Sequence, residues 1–214
     1  MVRRTVQTVF LLAMVLLMGA GCASKQEYNK PAEHWYENIL QSIQNRNLDS
    51  ADDYYLSLQS EHPRSPLLEG ATLIMAKAHE DSRDNLLSEF YYDEYIRRFA
   101  TNENMAYYQF KKVEASFKQL RATNKQQKLI RETIAKADTF INRYPDSEYV
   151  PLVQTLRTRL HMSEYMINEN IAGLYDRVGK EDAAKIYRQR NKESWLADSD
   201  IEFPKRNIIR RIFE

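Results

Sequence analysis

Cys22 is the residue whose chemistry stands out, because it is the only cysteine among 214 residues. A lone thiol has no intramolecular disulfide partner and cannot build a cysteine cluster around a metal ion. Residues 9–18 (VFLLAMVLLM) form a continuous apolar run that follows Arg3 and Arg4 and leads into the small residues 19–21. This is the layout of a secretory signal, and the run is shorter than the roughly 20 residues that a membrane-spanning helix needs.

Residues 19–22 resemble the lipobox of bacterial lipoproteins, in which the cysteine is acylated and becomes the first residue after cleavage. Gly19 departs from the aliphatic residue usual there, and the alternative is an ordinary secreted protein with a chance cysteine. The resemblance implies a signal peptide over residues 1–21, then a lipidated cysteine and tether over residues 22–31. Several acyl chains on one cysteine bind a bilayer stably. Alanine at position 23, where aspartate would favour the inner membrane, implies sorting to the outer membrane.

The remaining reactive side chains lack the spacing that catalysis or metal binding requires. The four histidines, at positions 34, 62, 79 and 161, form no His-x-x-x-His or Glu-x-x-His pair, and we expect them to lie exposed or in turns. No P-loop, dinucleotide fingerprint or nucleophile elbow occurs. We therefore expect no enzyme, no cofactor and no metal. A lytic transglycosylase, the enzymatic alternative, would need a lysozyme-like domain, for which we expect no room after residue 196.

Composition predicts an all-α protein. Without residues 1–21 the chain holds 29 basic and 30 acidic side chains, so no global field favours nucleic acid as a partner. Only three glycines remain, and no Asn-Gly or Asp-Gly hairpin signal occurs. Charge-rich, glycine-poor sequence with long periodic stretches is typical of helices.

Three segments align without gaps and reveal a repeat: LQSEHPRSP from Leu58, YIRRFATNE from Tyr95 and FINRYPDSE from Phe140. Each predicts the end of a helix, at Pro63, Ala100 or Pro145, and a capping residue two positions later, at Ser65, Asn102 or Ser147. The residues upstream have the spacing of the second helix of a tetratricopeptide repeat. They are Ala51, Tyr55 and Leu58, then Ser88, Tyr92 and Tyr95, then Thr133, Ala137 and Phe140.

These repeats predict an α-α superhelix, or solenoid, of about four to five tetratricopeptide-like helical hairpins over residues 32–196. Trp35 takes the place of the tryptophan of the first repeat, and Gly179 marks a turn between helices. The predicted helices span residues 32–45, 48–61, 66–80, 84–99, 103–122, 124–144, 147–167, 168–178 and 181–196.

Aromatic and basic residues concentrate in the helices predicted over 84–99 and 103–122. Tyr92, Tyr95 and Phe99 share a face that must fill the space between helices. Tyr91 and Tyr108 cannot share that face with all their neighbours, which favours a groove for an extended or carboxyl-terminated peptide. The alternative is that every tyrosine is a packing residue. The candidate groove residues are Tyr91, Tyr95, Arg97, Arg98, Tyr108, Lys111 and Lys112.

Residues 197–214 form a C-terminal tail in which Pro204 precedes a basic amphipathic segment, KRNIIRRIFE. Three roles remain open for it: a cap over the last hairpin, which a solenoid needs for solubility, a docking site for a partner, or a contact with a membrane surface. The candidate docking residues are Ile208, Ile209, Arg210, Arg211, Ile212 and Phe213.

Together these features resemble the BamD family, also called YfiO or ComL, of the outer-membrane β-barrel assembly machinery. The lipobox, Trp35-Tyr36 in the first helix, and the segments EFYYDEYIRRFATNENMAYYQFKKVEASF and RYPDSEY carry the resemblance over most of residues 28–196. It implies a non-enzymatic scaffold on the periplasmic face of the outer membrane. Its partners would be the barrel-assembly protein, accessory lipoproteins and unfolded outer-membrane proteins. Ala100 and the region after Trp195 depart from the family pattern. The alternative is another periplasmic repeat lipoprotein, serving pilus assembly or cell-wall coordination.

Overall fold

The computed structural model describes residues 27–120, 127–194 and 196–197. The chain divides into two units, residues 1–31 and 32–214, and all the described helices belong to the second. They are α1 (Ala32–Gln44), α2 (Leu48–Glu61), α3 (Leu67–Asp81), α4 (Asn85–Arg98), α5 (Met105–Gln119), α6 (Gln127–Arg143), α7 (Val150–Arg177) and α8 (Glu181–Lys192). The predicted bounds of the first six agree with these to within a few residues.

The described helices form four consecutive hairpins: α1 with α2, α3 with α4, α5 with α6, and α7 with α8. Each helix packs against the next one in sequence, and the first helices of neighbouring hairpins also touch, α1 with α3 and α5 with α7. No strand occurs in the described part of the chain. Nearest-neighbour packing of helical hairpins is the architecture of a solenoid, which confirms the predicted all-α superhelix.

Three of the turns inside hairpins have the same construction. Arg46, Arg83 and Gly179 occupy the left-handed region, with φ of 58°, 65° and 71°. In each turn the N–H of the following residue donates to the carbonyl five residues back, at 2.9 Å, which closes the helix end. Asn47 and Asp84 then accept hydrogen bonds from backbone N–H groups of the next helix as N-caps.

The turns between hairpins depend on serine. The Oγ atoms of Ser65 and Ser147 accept the backbone N–H two residues later, and Ser194 makes the same contact after α8. The prediction of Asn102 as the equivalent cap is wrong. Asn104 is the N-cap residue of α5, and its Oδ1 accepts the backbone N–H of Thr101 in the preceding turn at 2.8 Å rather than an N–H of the helix.

The residues predicted to hold the repeats together are buried. At the three equivalent sets of positions in α2, α4 and α6, every side chain is at most 5 % exposed. The small residues (Ala51, Ser88 and Thr133) let helices approach closely, and the larger ones fill the space to the next hairpin. Trp35 is also buried, and its indole N–H donates to Glu61 at 2.8 Å.

The predicted break between helices 147–167 and 168–178 is wrong, because α7 is continuous from Val150 to Arg177. No proline lies between Pro151 and Pro204 to interrupt the backbone hydrogen bonds, and Gly173 lies within the continuous helix. Asn168 is instead buried against α8, and its side-chain N–H donates to Asn191 Oδ1 at 2.9 Å. The long α7 therefore supports α6 with its first half and α8 with its second.

Candidate partner-binding site

Tyr91, a candidate groove residue, lies in the core with 3 % of its surface exposed. Its ring stacks on His79 at a centroid distance of 5.4 Å, and its hydroxyl donates to the Asp52 carboxylate. Burial, aided by this hydrogen bond, raises the pKa of the hydroxyl, so it stays a donor. Tyr91 is thus a packing residue, the alternative that the sequence left open. The expectation that His79 is exposed is wrong, since only 1 % of it is accessible.

Tyr95 is equally buried, at 2 % exposure, and Tyr108 is half-buried against it with ring centroids 4.2 Å apart. The Tyr95 hydroxyl donates to Glu69 Oε1 at 3.0 Å and so joins α4 to α3. These two tyrosines belong to the interface of α3, α4 and α5. They leave little surface for a partner.

Lys111 belongs to a half-buried ion-pair cluster around Glu80 that joins α3 to α5. Lys111 Nζ and Lys118 Nζ lie 2.9 and 2.8 Å from Glu80 Oε1, and the Tyr92 hydroxyl donates to Oε2 at 3.0 Å. Burial alone would raise the pKa of Glu80, but the hydrogen bonds and charges of the two lysines lower it to about 2. Glu80 therefore stays ionised, and the lysines hold two hairpins together.

Replacing Glu80 by glutamine should lower the free energy of unfolding at pH 7 by about 2 kcal/mol, because it leaves two half-buried lysines without their full charge partner. Since the pKa of Glu80 is lower in the folded state, its contribution is complete above the unfolded pKa of about 4.3 and is lost as pH falls towards 2. Urea unfolding of both proteins at pH 7 and pH 4 should show a smaller difference at pH 4. Asp81→Asn, at a neighbouring exposed carboxylate, is the control and should change stability by less than about 0.5 kcal/mol.

The other candidate cations also have acidic partners. Arg97 and Arg98 both contact Glu94, and Lys112 contacts Asp93. Arg97 keeps 59 % of its side chain exposed and is the most accessible of these four cations, since Arg98, Lys111 and Lys112 are 30 %, 12 % and 26 % exposed. The three tyrosines and the two lysines thus join α4 and α5 to their neighbours, whereas Arg97 and Arg98 pair with Glu94 of their own helix.

An open cleft of about 410 Å³ does lie one hairpin further on, between α5 and α6. Its floor is apolar and includes Val113 and Phe140, which are 3 % and 2 % exposed. Lys112, Lys136 and Arg143 supply cations around it. Of the predicted groove residues, only Lys112 lines this cleft.

Comparison with known proteins identifies the family. The model of the YfiO family, described as an outer membrane lipoprotein, matches residues 28–177. The chain belongs to the YfiO family. The outer membrane protein assembly factor BamD of Helicobacter pylori is 37 % identical over 190 residues, which cover 87 % of this chain and 86 % of that protein. The protein of the same name from Caulobacter vibrioides is 24 % identical over 182 residues, 82 % of this chain but only 56 % of that protein. The resemblance inferred from the sequence is confirmed.

The cleft residues of α6 in this YfiO-family chain were not predicted, because the sequence concentrates its aromatic residues in α4 and α5 and α6 has few. The sequence signal that could have indicated the cleft is a difference between equivalent positions of two repeats. Position 136 is the equivalent of position 91, 45 residues further on, and it holds lysine where the earlier repeat holds tyrosine. A change from a bulky ring to a flexible cation at an inter-helix position indicates altered packing there.

Several predicted features lie outside the described residues: the signal peptide over 1–21, Cys22, and the docking residues Ile208, Ile209, Arg210, Arg211, Ile212 and Phe213. Within the ranges that the structure describes, no helix is both long enough and apolar enough to cross a membrane. In the same ranges, no three His, Cys, Asp or Glu side chains are grouped so as to hold a metal ion.

Proposed function

We propose that this protein is a lipid-anchored scaffold of outer-membrane β-barrel assembly, acting on the periplasmic face of the outer membrane. The observation that carries the proposal is the 37 % identity to a BamD assembly factor across 86 % of that protein. The helical hairpins support the proposal physically, because a solenoid offers extended surfaces for binding other proteins. The ionised groups between its helices, such as Glu80, form ion pairs that hold neighbouring hairpins together. The chain works by binding rather than by catalysis.

The partners we propose are the barrel-assembly protein, accessory lipoproteins and unfolded outer-membrane proteins. Acylation of Cys22 would hold the solenoid at the membrane, and residues 22–31 would act as its tether. The tail residues 208–213 would supply a second docking element, because their isoleucines and Phe213 alternate with arginines in an amphipathic pattern.

Co-purification tests this proposal. The native lipoprotein, extracted in mild detergent and captured by a tag at its C-terminus, should bring down the barrel-assembly protein in stoichiometric amount. Recovery of a pilus secretin or of peptidoglycan enzymes without the barrel-assembly protein would overturn the proposal and favour the pilus or cell-wall alternative.

A further inference from the structure

The cleft between α5 and α6 arises where one repeat differs from the one before it. In the earlier repeat, Asp52 of α2, His79 of α3 and Tyr91 of α4 meet. The equivalent positions in the next repeat hold Glu89, Ser116 and Lys136. These also meet, because Lys136 Nζ contacts the Glu89 carboxylate and lies 2.9 Å from Ser116 Oγ. The same three positions therefore meet in both repeats, but the later repeat has the Lys136 side chain where the earlier one has the ring of Tyr91.

Two further positions on α6 lose bulk relative to α4. Ala135 takes the place of Phe90, and Thr139 takes the place of Glu94. Both α6 side chains line the cleft and are exposed. Together with the missing ring, these replacements account for an opening of about 410 Å³, within the usual size of ligand pockets.

The replacement of Glu94 by Thr139 also removes the acidic partner of an arginine. In α4, Arg98 Nη1 lies 3.2 Å from Glu94, four residues earlier. The equivalent Arg143 has Thr139 four residues earlier, and among the described residues its cationic group contacts only the ring of Tyr144, at 5.9 Å from the centroid. Lys112 and Lys136, by contrast, are each paired with a carboxylate of α4. Arg143 is therefore the cation at the cleft that is available to a ligand.

We propose that this cleft binds a segment of a partner protein in which an aromatic residue is followed by an aspartate or glutamate. The aromatic side chain would lie against Ala135 and Thr139, the exposed α6 residues of the cleft, above the buried Val113 and Phe140. The neighbouring carboxylate would accept hydrogen bonds from the Arg143 guanidinium. Charge complementarity favours this occupant. The lining carboxylate of Glu132 is paired with Lys128 at 3.7 Å, so among the described residues Arg143 is the charge at the cleft that lacks a partner of opposite sign. The inference rests on the proposed role as a binding scaffold, and it adds a specific surface and the chemistry of what binds there.

Peptide binding to the full mature protein in mild detergent tests the proposal. The probe is a fluorescein-labelled Gly-Ser-Phe-Asp-Gly-Ser peptide, blocked at both ends, with binding followed by fluorescence anisotropy. We expect saturable binding that weakens about fivefold or more when the probe's aspartate becomes asparagine or when Arg143 is changed to glutamate. Arg64→Glu, at an exposed arginine between α2 and α3, should have no effect.

A second pair of variants tests the cleft itself. Thr139→Trp should fill it and abolish binding, whereas Thr155→Trp should not. Thr155 is a matched control, because it is exposed on α7 and its hydroxyl donates to the carbonyl four residues earlier, as that of Thr139 does. Thermal unfolding of each variant should match the parent, since all these positions are exposed.

Three results would overturn the proposal: no saturable binding up to about 1 mM peptide, equal binding of the asparagine probe, or unchanged binding to Arg143→Glu. Binding only of a probe with a free C-terminal carboxylate would overturn the assigned occupant. If these peptides do not bind, co-purification with the barrel-assembly protein is still expected. The experiments therefore distinguish a wrong assignment of the cleft from a wrong assignment of the scaffold function.

Discussion

Replacing Tyr91 by alanine should lower the free energy of unfolding by about 3–5 kcal/mol, the range for removing a buried aromatic side chain. The substitution leaves a void between α2, α3 and α4, where the ring now contacts Tyr55 and His79. It also removes the hydroxyl that donates to Asp52, a carboxylate that is itself mostly buried. Urea unfolding followed by far-UV circular dichroism measures the change.

The neighbouring Phe90 provides the control, because it is an aromatic residue on the same helix but is 48 % exposed. Phe90→Ala should cost less than about 1 kcal/mol. If Tyr91→Ala were as mild as Phe90→Ala, Tyr91 would be a surface residue available to a partner, and the assignment to the core would be incorrect.

Replacing Cys22 by alanine should release the protein from the membrane into the soluble periplasmic fraction. Acyl chains on this cysteine are the only anchor we propose for the chain, and two or more of them make binding to a bilayer stable. Cell fractionation and immunoblotting measure the distribution, and mass spectrometry of the wild-type protein should find lipid on residue 22.

Ser24→Ala is the control for this experiment, because it changes the tether two residues away and keeps the cysteine. That variant should remain in the membrane fraction. Membrane retention of the Cys22→Ala protein would show that the anchor lies elsewhere, with the tail segment 205–214 the first place to look.

The repeat could be predicted because its signals are local. A small residue, an aromatic residue and a serine cap at fixed spacing specify the helices and turns, and the burial of Ala51, Ser88 and Thr133 follows from that register. The continuity of α7 was not predicted. The sequence around position 168 neither requires a helix end there nor rules one out. Whether the chain breaks there depends on α8, against which Asn168 is buried.

The binding surface was harder to predict for a geometric reason. The second helix of an internal hairpin contacts its own hairpin and both neighbours, so α4 is buried on more than one face. Tyr91 packs towards α2 and α3, whereas Tyr95 packs towards α3 and α5. An aromatic residue off the main apolar stripe is therefore not necessarily exposed. The charge of Lys111 is similarly neutralised by Glu80, which is 31 residues away in sequence and lies close only after folding. The partner of Arg98, by contrast, is Glu94 on the same helix, at the i,i+4 spacing that the sequence itself displays.

The central claim is that this YfiO-family chain supports outer-membrane barrel assembly, and depletion of the protein in its own cells tests it most directly. The measurement is the amount of folded β-barrel protein in the outer membrane, scored by heat-dependent mobility on gels, as the protein is depleted. We predict that folded barrels fall while an unrelated outer-membrane lipoprotein stays constant, and that wild-type protein restores them. Normal levels of folded barrels after complete depletion would contradict the claim.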